Sequence, residues 1–329
     1  MKYLIFFIGS LAVALMLFLI LTFSFEPGKT DELHLDKPIV VIVKATMAGQ
    51  PMNFWSVVQQ GINEAAREFG VEVIITGADH ETQIDRQVNI FNRVISEDPA
   101  LIILAASDYY LLAEPVKVAA GKGIPIITVD SGVNSNYPVS FIATNNVEAG
   151  NKAGNEIARL LPEHPNHSIA IVSHYRETAT AIEREAGVRQ ALDGWNITGT
   201  WFCENDEKIA YENTMEILKD PSIKGIVALN EIVTLGVAKA IEETDSADRI
   251  RVVGFDNAPE ELAYLERGVL KATVVQRPYN MGYMSVRTAV EYLKGSEVEP
   301  FIDTGSVLIT AENMFKREYQ ELLFPVNEN

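Results

Sequence analysis

The sequence predicts an α/β fold with two doubly wound parallel-sheet lobes, and three observations support this. The chain has 329 residues, 47% of them hydrophobic, which suffices for packed cores and is long for one domain. Short apolar runs, typical of strands buried on both faces, recur along the chain. Segments with helical spacing lie between several of them, so repeated β–α units are predicted.

The strands and helices follow from these patterns in chain order. In the first helix Val58, Ile62 and Ala65 fall on one face, and Gly70 provides a stop. Further helices are predicted at 146–161, 178–192, 206–218 and 231–242. The strands are predicted at 39–45, 71–76, 100–105, 125–130, 141–144, 168–173, 197–203, 224–230, 251–256, 271–277 and 301–310.

Charge and motifs exclude several classes of function. The chain has 45 acidic and 27 basic residues, a net charge of −18, which disfavours a nucleic-acid partner. Its one cysteine, Cys203, can form neither an internal disulfide nor a thiolate-rich metal site. Walker, G-x-G-x-x-G and G-x-S-x-G motifs are missing. We therefore expect no enzyme, no catalytic residue, no cofactor and no metal.

The N-terminus has the composition of a membrane-directed segment. Residues 3–25 carry no charged side chain and would span about 34 Å as a helix, enough to cross a bilayer core. Phe23 and Phe25 are bulky where a signal peptidase prefers small residues, which favours an uncleaved transmembrane anchor formed by residues 1–26. A cleaved signal peptide is the alternative. Lys2 before the span places the following chain outside the cytoplasm. Residues 27–37 are predicted to form a tether.

Polar side chains follow several predicted strands at the end where parallel sheets bind ligands. They are Asp130, Asn230, Asp256 and Gln276. Carboxylates and amides can accept from one sugar hydroxyl and donate to another. Each could instead form an Asx turn or helix cap.

Other candidates are less specific. Trp55, just after the first strand, could pack on the C–H face of a sugar or belong to the core. Arg184 could donate to several oxygens or lie on a solvated helix face. His80 and His174 near strand ends could line the rim of a cleft.

An ordered set of motifs resembles the type I periplasmic sugar-binding proteins over residues 38–310. The spans are FWSVVQQGINEAAREFGVEV (54–73), PIITVDS (125–131), NNVEAGNKAG (145–154), EREAGVRQAL (183–192), VALNE (227–231), VVGFDNAPEE (252–261) and KATVVQRPYNMG (271–282). The resemblance implies two lobes joined by three hinge crossovers, near 143–145, 276–277 and 301–303. One lobe would comprise 38–144 with 277–302 and the other 145–276 with 303–317, leaving 318–329 as a tail.

The resemblance also implies which residues bind the ligand. Residues matching monosaccharide-binding positions of the family are Asp130, Arg184, Asn230, Asp256 and Gln276, and Phe54 and Trp55 match the aromatic pair at the sugar ring.

This chain departs from the family pattern at several of its site positions. Ser131 stands where ribose binders carry an arginine. Asp206 lies near a position at which members of the family carry an aromatic residue. Lys44 with Asp130 and Ser131 resembles binders of the furanosyl autoinducer. Ribose itself is therefore in doubt, while a polyhydroxylated ligand is expected.

Two functions fit this resemblance. The chain could be an extracytoplasmic sugar-binding protein that serves the permease of an ABC importer. It could also be a membrane-anchored receptor that signals to a membrane histidine kinase. The transcription regulators that share the fold need an N-terminal DNA-binding region, which the apolar segment replaces.

Overall fold

The computed structural model describes residues 35–46, 54–161 and 167–324. Within these ranges the elements are β1 (Ile39–Val43), α1 (Phe54–Phe69), β2 (Val73–Gly77), α2 (Ile84–Glu97), β3 (Leu101–Leu104), α3 (Ala113–Gly121), β4 (Ile126–Val129), β5 (Ser140–Ala143), α4 (Asn146–Leu160), β6 (Ser168–Ser173), α5 (Ala179–Ala191), β7 (Asn196–Phe202), α6 (Glu207–Ile217), β8 (Ile223–Ala228), α7 (Glu231–Glu243), β9 (Arg251–Phe255), α8 (Pro259–Glu266), β10 (Ala272–Gln276), α9 (Pro278–Leu293), β11 (Phe301–Asp303), β12 (Ser306–Thr310) and α10 (Arg317–Leu323).

The strands form two six-stranded sheets, which confirms the predicted two-lobe α/β fold. The sheet of the N-terminal lobe has the order β11-β5-β4-β3-β1-β2, and that of the C-terminal lobe has the order β12-β10-β9-β8-β6-β7. All pairings are parallel except that of β10 with β12. In both sheets the strand order reverses beside the first strand, so each lobe has a switch point at its carboxyl edge.

The chain passes between the two sheets after β5, after β10 and between β11 and β12. The run 301–310, predicted as one strand, is divided here: β11 pairs with β5, and β12 pairs with β10. Gly305 lies between them with φ +78°. Glycine adopts this left-handed backbone at little cost, so the chain can change sheets within two residues.

A pair of closely packed helices covers each sheet on one side. A Cβ on Gly61 of α1 would lie 2.1 Å from the Tyr279 carbonyl oxygen of α9, and one on Gly282 would lie 2.0 Å from the Val58 carbonyl oxygen. In the C-terminal lobe a Cβ on Gly150 of α4 would lie 2.1 Å from the carbonyl oxygen of Arg184 in α5. Glycine therefore fixes both helix crossings by allowing backbones to touch.

The apolar span 3–25 and most of the tether lie outside the described residues. Among the residues described, no helix is both long and apolar enough to cross a membrane. At the other end, the first part of the expected tail forms α10, whose Leu323 is buried in the core of the C-terminal lobe.

Candidate functional site

A cavity of about 330 Å³ lies between the carboxyl edges of the two sheets. Both lobes contribute polar groups to its wall, and the N-terminal lobe adds the rings of Phe54 and Trp55. The lining residues are Lys44, Phe54, Trp55, His80, Glu81, Thr82, Asp130, His174, Thr180, Arg184, Asn205, Asn230, Glu231, Ile232, Asp256 and Gln276.

Each lobe places one aspartate at the same point of its sheet. Asp130 follows β4 with φ +62°, and Asp256 follows β9 with φ +77°. The backbone N–H of Asp130 donates to the carbonyl oxygen of Ile142, and that of Asp256 donates to Val274, both at 2.9 Å. Left-handed backbone is uncommon outside glycine, and such strain is concentrated at functional sites. Both carboxylates line the cavity.

Lys44 neutralises the aspartate of the N-terminal lobe. Its Nζ lies 2.7 Å from Asp130 Oδ2, and both side chains are 6% exposed. The same ammonium lies 5.9 Å from the centre of the Trp55 ring. The end of β1 therefore supplies a buried positive charge beside an aromatic wall.

The aspartate of the C-terminal lobe is held by neutral donors. Gln276 Nε2 donates to Asp256 Oδ1 at 2.7 Å, and the backbone N–H of Glu231 donates to Oδ2 at 3.2 Å. Burial nevertheless raises the pKa of Asp256, opposed by the nearby Arg184 guanidinium.

Arg184 is fixed in position by two acceptors. Its Nε donates to Asn146 Oδ1 at 2.9 Å, and one terminal nitrogen donates to the Leu229 carbonyl oxygen at 2.8 Å. The guanidinium lies 4.6 Å from the centre of the Phe255 ring. Arg184 is 3% exposed, so it is a buried group of the cavity and not part of a solvated helix face.

A chain of hydrogen bonds crosses the cavity from lobe to lobe. Trp55 Nε1 donates to one oxygen of Glu81, and Asn205 Nδ2 donates to the other at 3.2 Å. Asn230 Nδ2 in turn donates to Asn205 Oδ1 at 2.7 Å, while its own oxygen caps α7 by accepting from Val233. Asn230 therefore both caps a helix, as one interpretation of the sequence expected, and lines the cavity.

Two further contacts show that the lobes are closed on each other. The backbone N–H of Tyr109 donates to the Glu177 carbonyl oxygen at 2.9 Å. The carboxylate of Glu231 accepts from the backbone N–H of Phe54, the first residue of α1. These contacts and the Glu81–Asn205 bond all join one lobe to the other.

Besides Asp256, three ionisable groups of the described cavity lining have displaced pKa values. Burial, with smaller effects from Asp256 and Glu81, raises the pKa of Glu231 to about 8. Burial also raises the pKa of Glu81, although the Lys44 charge opposes it. Burial, and then the charges of Arg184 and Lys44, lower the pKa of His174 well below its usual range, so this ring is neutral.

Most of the residues predicted from sequence come together in the cavity, and two do not. Lys44, Phe54, Trp55, Asp130, Arg184, Asn230, Asp256 and Gln276 line it. Ser131 is fully buried and does not line the cavity. Asp206 is exposed, and its side chain caps α6 by accepting from the Ile209 N–H at 3.0 Å. Its neighbour Asn205 faces the cavity instead.

Sequence reasoning missed Glu81, Asn205 and Glu231. Glu231 directly follows Asn230, so the strand-end pattern could have included it. Glu81 and Asn205 lie in the loops after β2 and β7, the edge strands, where sequence gives no comparable signal. His80 and His174, weighed as rim residues, both line the cavity.

The arrangement is suited to hydrogen bonding with a small polar solute. Fixed acceptors, fixed donors and aromatic walls surround one space, as in binding sites that orient a ligand by a few polar groups. Among the described residues, no group of His, Cys, Asp or Glu side chains is arranged to hold a metal ion.

The fold and this cavity define a two-lobed binding protein with its site between the lobes. Comparison with known proteins is consistent with that class: the chain matches the periplasmic binding protein domain over residues 42–297. It belongs to that family, in its type I sugar-binding group, as the motifs predict. Membership implies an extracytoplasmic location.

Its relatives include solute-binding proteins of known structure. A carbohydrate transporter solute-binding protein from Agrobacterium radiobacter, in complex with D-arabinose, is 29% identical with a TM-score of 0.82, covering 87% of this chain and 98% of that one. A protein from Agrobacterium vitis with bound D-fucose is 30% identical with a TM-score of 0.80, covering 86% and 98%. The ribose import binding protein RbsB of Haemophilus influenzae is 25% identical, covering 75% of this chain and 83% of that protein. These relatives are binding proteins, in agreement with the expectation that the chain is not an enzyme.

Proposed function

We propose that the chain binds a monosaccharide or a similar polyhydroxylated solute between its lobes and delivers it to the permease of an ABC importer. The observation that carries this proposal is the pair of buried aspartates, Asp130 and Asp256, one from each lobe, at a single cavity. The relatives with bound D-arabinose and D-fucose support a sugar as the solute.

The side chains have distinct proposed roles. Asp130 and Asp256 accept from sugar hydroxyls, and Arg184 and Asn230 donate to sugar oxygens. Trp55, with Phe54, walls the apolar face of the ring. Lys44 and Gln276 hold the two carboxylates in place.

Binding would be coupled to hinge motion. A ligand that touches both lobes stabilises the closed arrangement over the open one by the contacts that only closure provides. The closed form, with its interlobe bonds at Glu81 and Glu231, is the one that a permease would recognise as loaded.

A receptor role is the second candidate, and the apolar segment 3–25 favours it. A binding protein held at the membrane is suited to report occupancy to a membrane histidine kinase. Affinity purification of the full chain from membranes, with and without sugar, separates the two roles. A permease recovered with the loaded protein supports import, and a kinase recovered instead supports sensing.

A thermal-shift screen tests the binding function. The full chain in detergent is heated with D-ribose, D-arabinose, D-fucose, deoxy sugars and inositols, with trimethylamine N-oxide, an osmolyte without sugar hydroxyls, as the control for unspecific stabilisation. A sugar at 100 times its Kd should stabilise the protein by about 2.7 kcal/mol. A folded protein that no sugar stabilises beyond the control contradicts the proposal.

A further inference from the structure

The charged side chains that line the interlobe cavity are unequal in number. Among the described lining residues there are four carboxylates and two cations. The carboxylates are Glu81, Asp130, Glu231 and Asp256, and the cations are Lys44 and Arg184. His80 lies at the exposed rim, and His174 is neutral because burial and the two cations hold its pKa well below the usual range. With its carboxylates ionised, the cavity therefore has an excess of negative charge.

Both cations already face the two aspartates. Lys44 Nζ lies 2.7 Å from Asp130 Oδ2. Burial raises the pKa of Asp256, and the Arg184 charge is the nearby cation that opposes this rise. Within the part of the chain that the structure describes, neither cation forms an ion pair with a glutamate of the cavity. The excess of negative charge therefore belongs to the two glutamates.

Both glutamates are accessible to a ligand and have neutral partners. Their side chains are half-buried, whereas the two aspartates are buried. Trp55 Nε1 and Asn205 Nδ2 donate to Glu81. The backbone N–H of Phe54 donates to Glu231. Such donors leave the charge of a carboxylate uncompensated, so each glutamate lacks a positive partner that a ligand could supply.

Glu231 is surrounded by further carboxylates. Burial, and then the charges of Asp256 and Glu81, raise its pKa to about 8. Glu261 of α8 is fully buried in the same group, since the charges of Glu231 and Asp256 add to the effect of burial on its pKa. In the empty protein a proton therefore neutralises Glu231 at neutral pH. A cationic group of the ligand can replace that proton.

A neutral ring of the same cavity also lacks a hydrogen bond. His174 lines the cavity and is 4% exposed. Its Nε2 lies 3.1 Å from the hydroxyl oxygens of Thr178 and Thr180, but its Nδ1 has no hydrogen-bond partner among the described residues. This second observation, independent of the carboxylates, indicates a ligand with polar hydrogens.

We propose that the solute is an amino sugar whose ammonium group pairs with Glu231 in the interlobe cavity. The proposal rests on the proposed function, because the ring and hydroxyls of such a sugar use that same site. An ammonium group has three donors, so it can bond Glu231 and a second acceptor at once. A phosphorylated sugar or a uronate would add negative charge to a cavity that already has too much.

Titration calorimetry on the full chain in detergent tests the ammonium group. The probes are D-glucosamine, D-galactosamine, D-mannosamine and 6-amino-6-deoxy-D-glucose at pH 6.5, where these amines are protonated. Each amine is compared with its neutral parent hexose, and the hexosamines also with their N-acetyl derivatives, which keep the ring and lose the charge. At least one amine should bind at least about tenfold more tightly than its neutral parent.

Proton release gives a second readout. The same titrations in two buffers of different ionisation enthalpy count the protons released on binding. Amine binding should release up to about one proton per site, because Glu231 is protonated in the empty protein below about pH 8. Equal proton release by the amines and their neutral parents would overturn the pairing with Glu231.

Three variants make the test specific. Glu231→Gln keeps the shape of the side chain without its charge, so it should abolish the advantage of the amine over its parent. Glu81→Gln removes the other unpaired carboxylate and should reduce that advantage, which keeps the proposal testable if Glu231→Gln does not fold. Glu266→Gln is the matched control, because Glu266 is exposed and does not line the cavity, and it should keep the full advantage.

The outcomes separate this proposal from the binding function beneath it. If neutral sugars bind and no amine binds more tightly than its parent, or if Glu231→Gln keeps the advantage of the amine, the amino sugar is overturned and the binding of a polyhydroxylated solute stands. If the folded protein binds neither amines nor neutral sugars, both proposals are overturned.

Discussion

At the scale of the residue, Lys44 balances the negative charge of Asp130 in the cavity. Both are buried, so removing the lysine leaves an uncompensated carboxylate in a poorly solvated space. The sequence suggested Lys44 only through a resemblance, because a lysine at the end of a strand is usually exposed.

We predict that Lys44→Met lowers the free energy of unfolding by about 3–5 kcal/mol. Lys37→Met is the matched control, because the Lys37–Asp98 pair has side chains 50% and 65% exposed and should contribute less than about 1 kcal/mol. Denaturant unfolding of the sugar-free wild type, Lys44→Met and Lys37→Met measures the two losses of stability. Equal losses of unfolding free energy in the two variants would contradict the burial of the Lys44–Asp130 pair.

Glu231 gives the empty protein a specific dependence on pH. Its pKa rises from 4.5 to about 8 on folding, so between these values the folded state binds more protons than the unfolded state. Stability must then fall as the pH rises from 4.5 toward 8. Burial is the main cause of the raised pKa, and the charges of Asp256 and then Glu81 add to it.

We predict that Glu231→Gln flattens this part of the pH profile of stability. The slope that disappears is at most about 1.4 kcal/mol per pH unit. Unfolding of the sugar-free protein at pH 5, 6.5 and 8 measures it, and the exposed Glu266→Gln should follow the wild type. Profiles of Glu231→Gln and wild type that run in parallel would show that this carboxyl does not titrate there.

At the scale of elements, the close crossing of α4 and α5 positions Arg184. Gly150 faces the backbone carbonyl of Arg184, so any side chain at residue 150 must push α5 away. The guanidinium, held by Asn146 of α4 and by Leu229, would lose its place in the cavity.

We predict that Gly150→Ala destabilises the fold by about 1–3 kcal/mol and weakens sugar binding. Gly121→Ala, at the end of α3, is the control, because its Cβ would meet nothing within 4 Å. That change should be neutral or stabilise by up to about 1 kcal/mol. Thermal unfolding and sugar titration compare the two. Unchanged sugar affinity in Gly150→Ala would show that the α4–α5 crossing does not determine the position of Arg184.

The elements were predictable where burial leaves a simple pattern. Strands of parallel sheets are apolar on both faces, so their runs were visible in the sequence. Helices α2, α3, α8, α9 and α10 were not predicted, although Phe91, Val94 and Ile95 give α2 a buried apolar face. The polar Gln87 is buried on the same face of α2. Gln87 is buried since its amide donates to the carbonyl oxygens of Val43 and Ala105.

At the scale of the molecule, the site depends on how the lobes meet. Asp130 and Asp256 could be predicted because parallel strands bring their carboxyl ends to one edge. Glu81 and Asn205 could not, because they lie in loops and meet only when the lobes close. Closure is set by contacts between distant parts of the chain, which no local pattern encodes.

In the proposed function, one sugar is held by both lobes at once. Titration calorimetry of D-arabinose, D-ribose and D-fucose into the wild type, Asp130→Ala and Asp256→Ala tests it most directly. We predict that at least one sugar binds the wild type at one site per chain. Each variant should lose at least about tenfold in affinity, since a hydrogen bond to a charged group contributes about 1.5–3 kcal/mol. Unchanged affinity in either folded variant, or no binding of any sugar to the wild type, would contradict it.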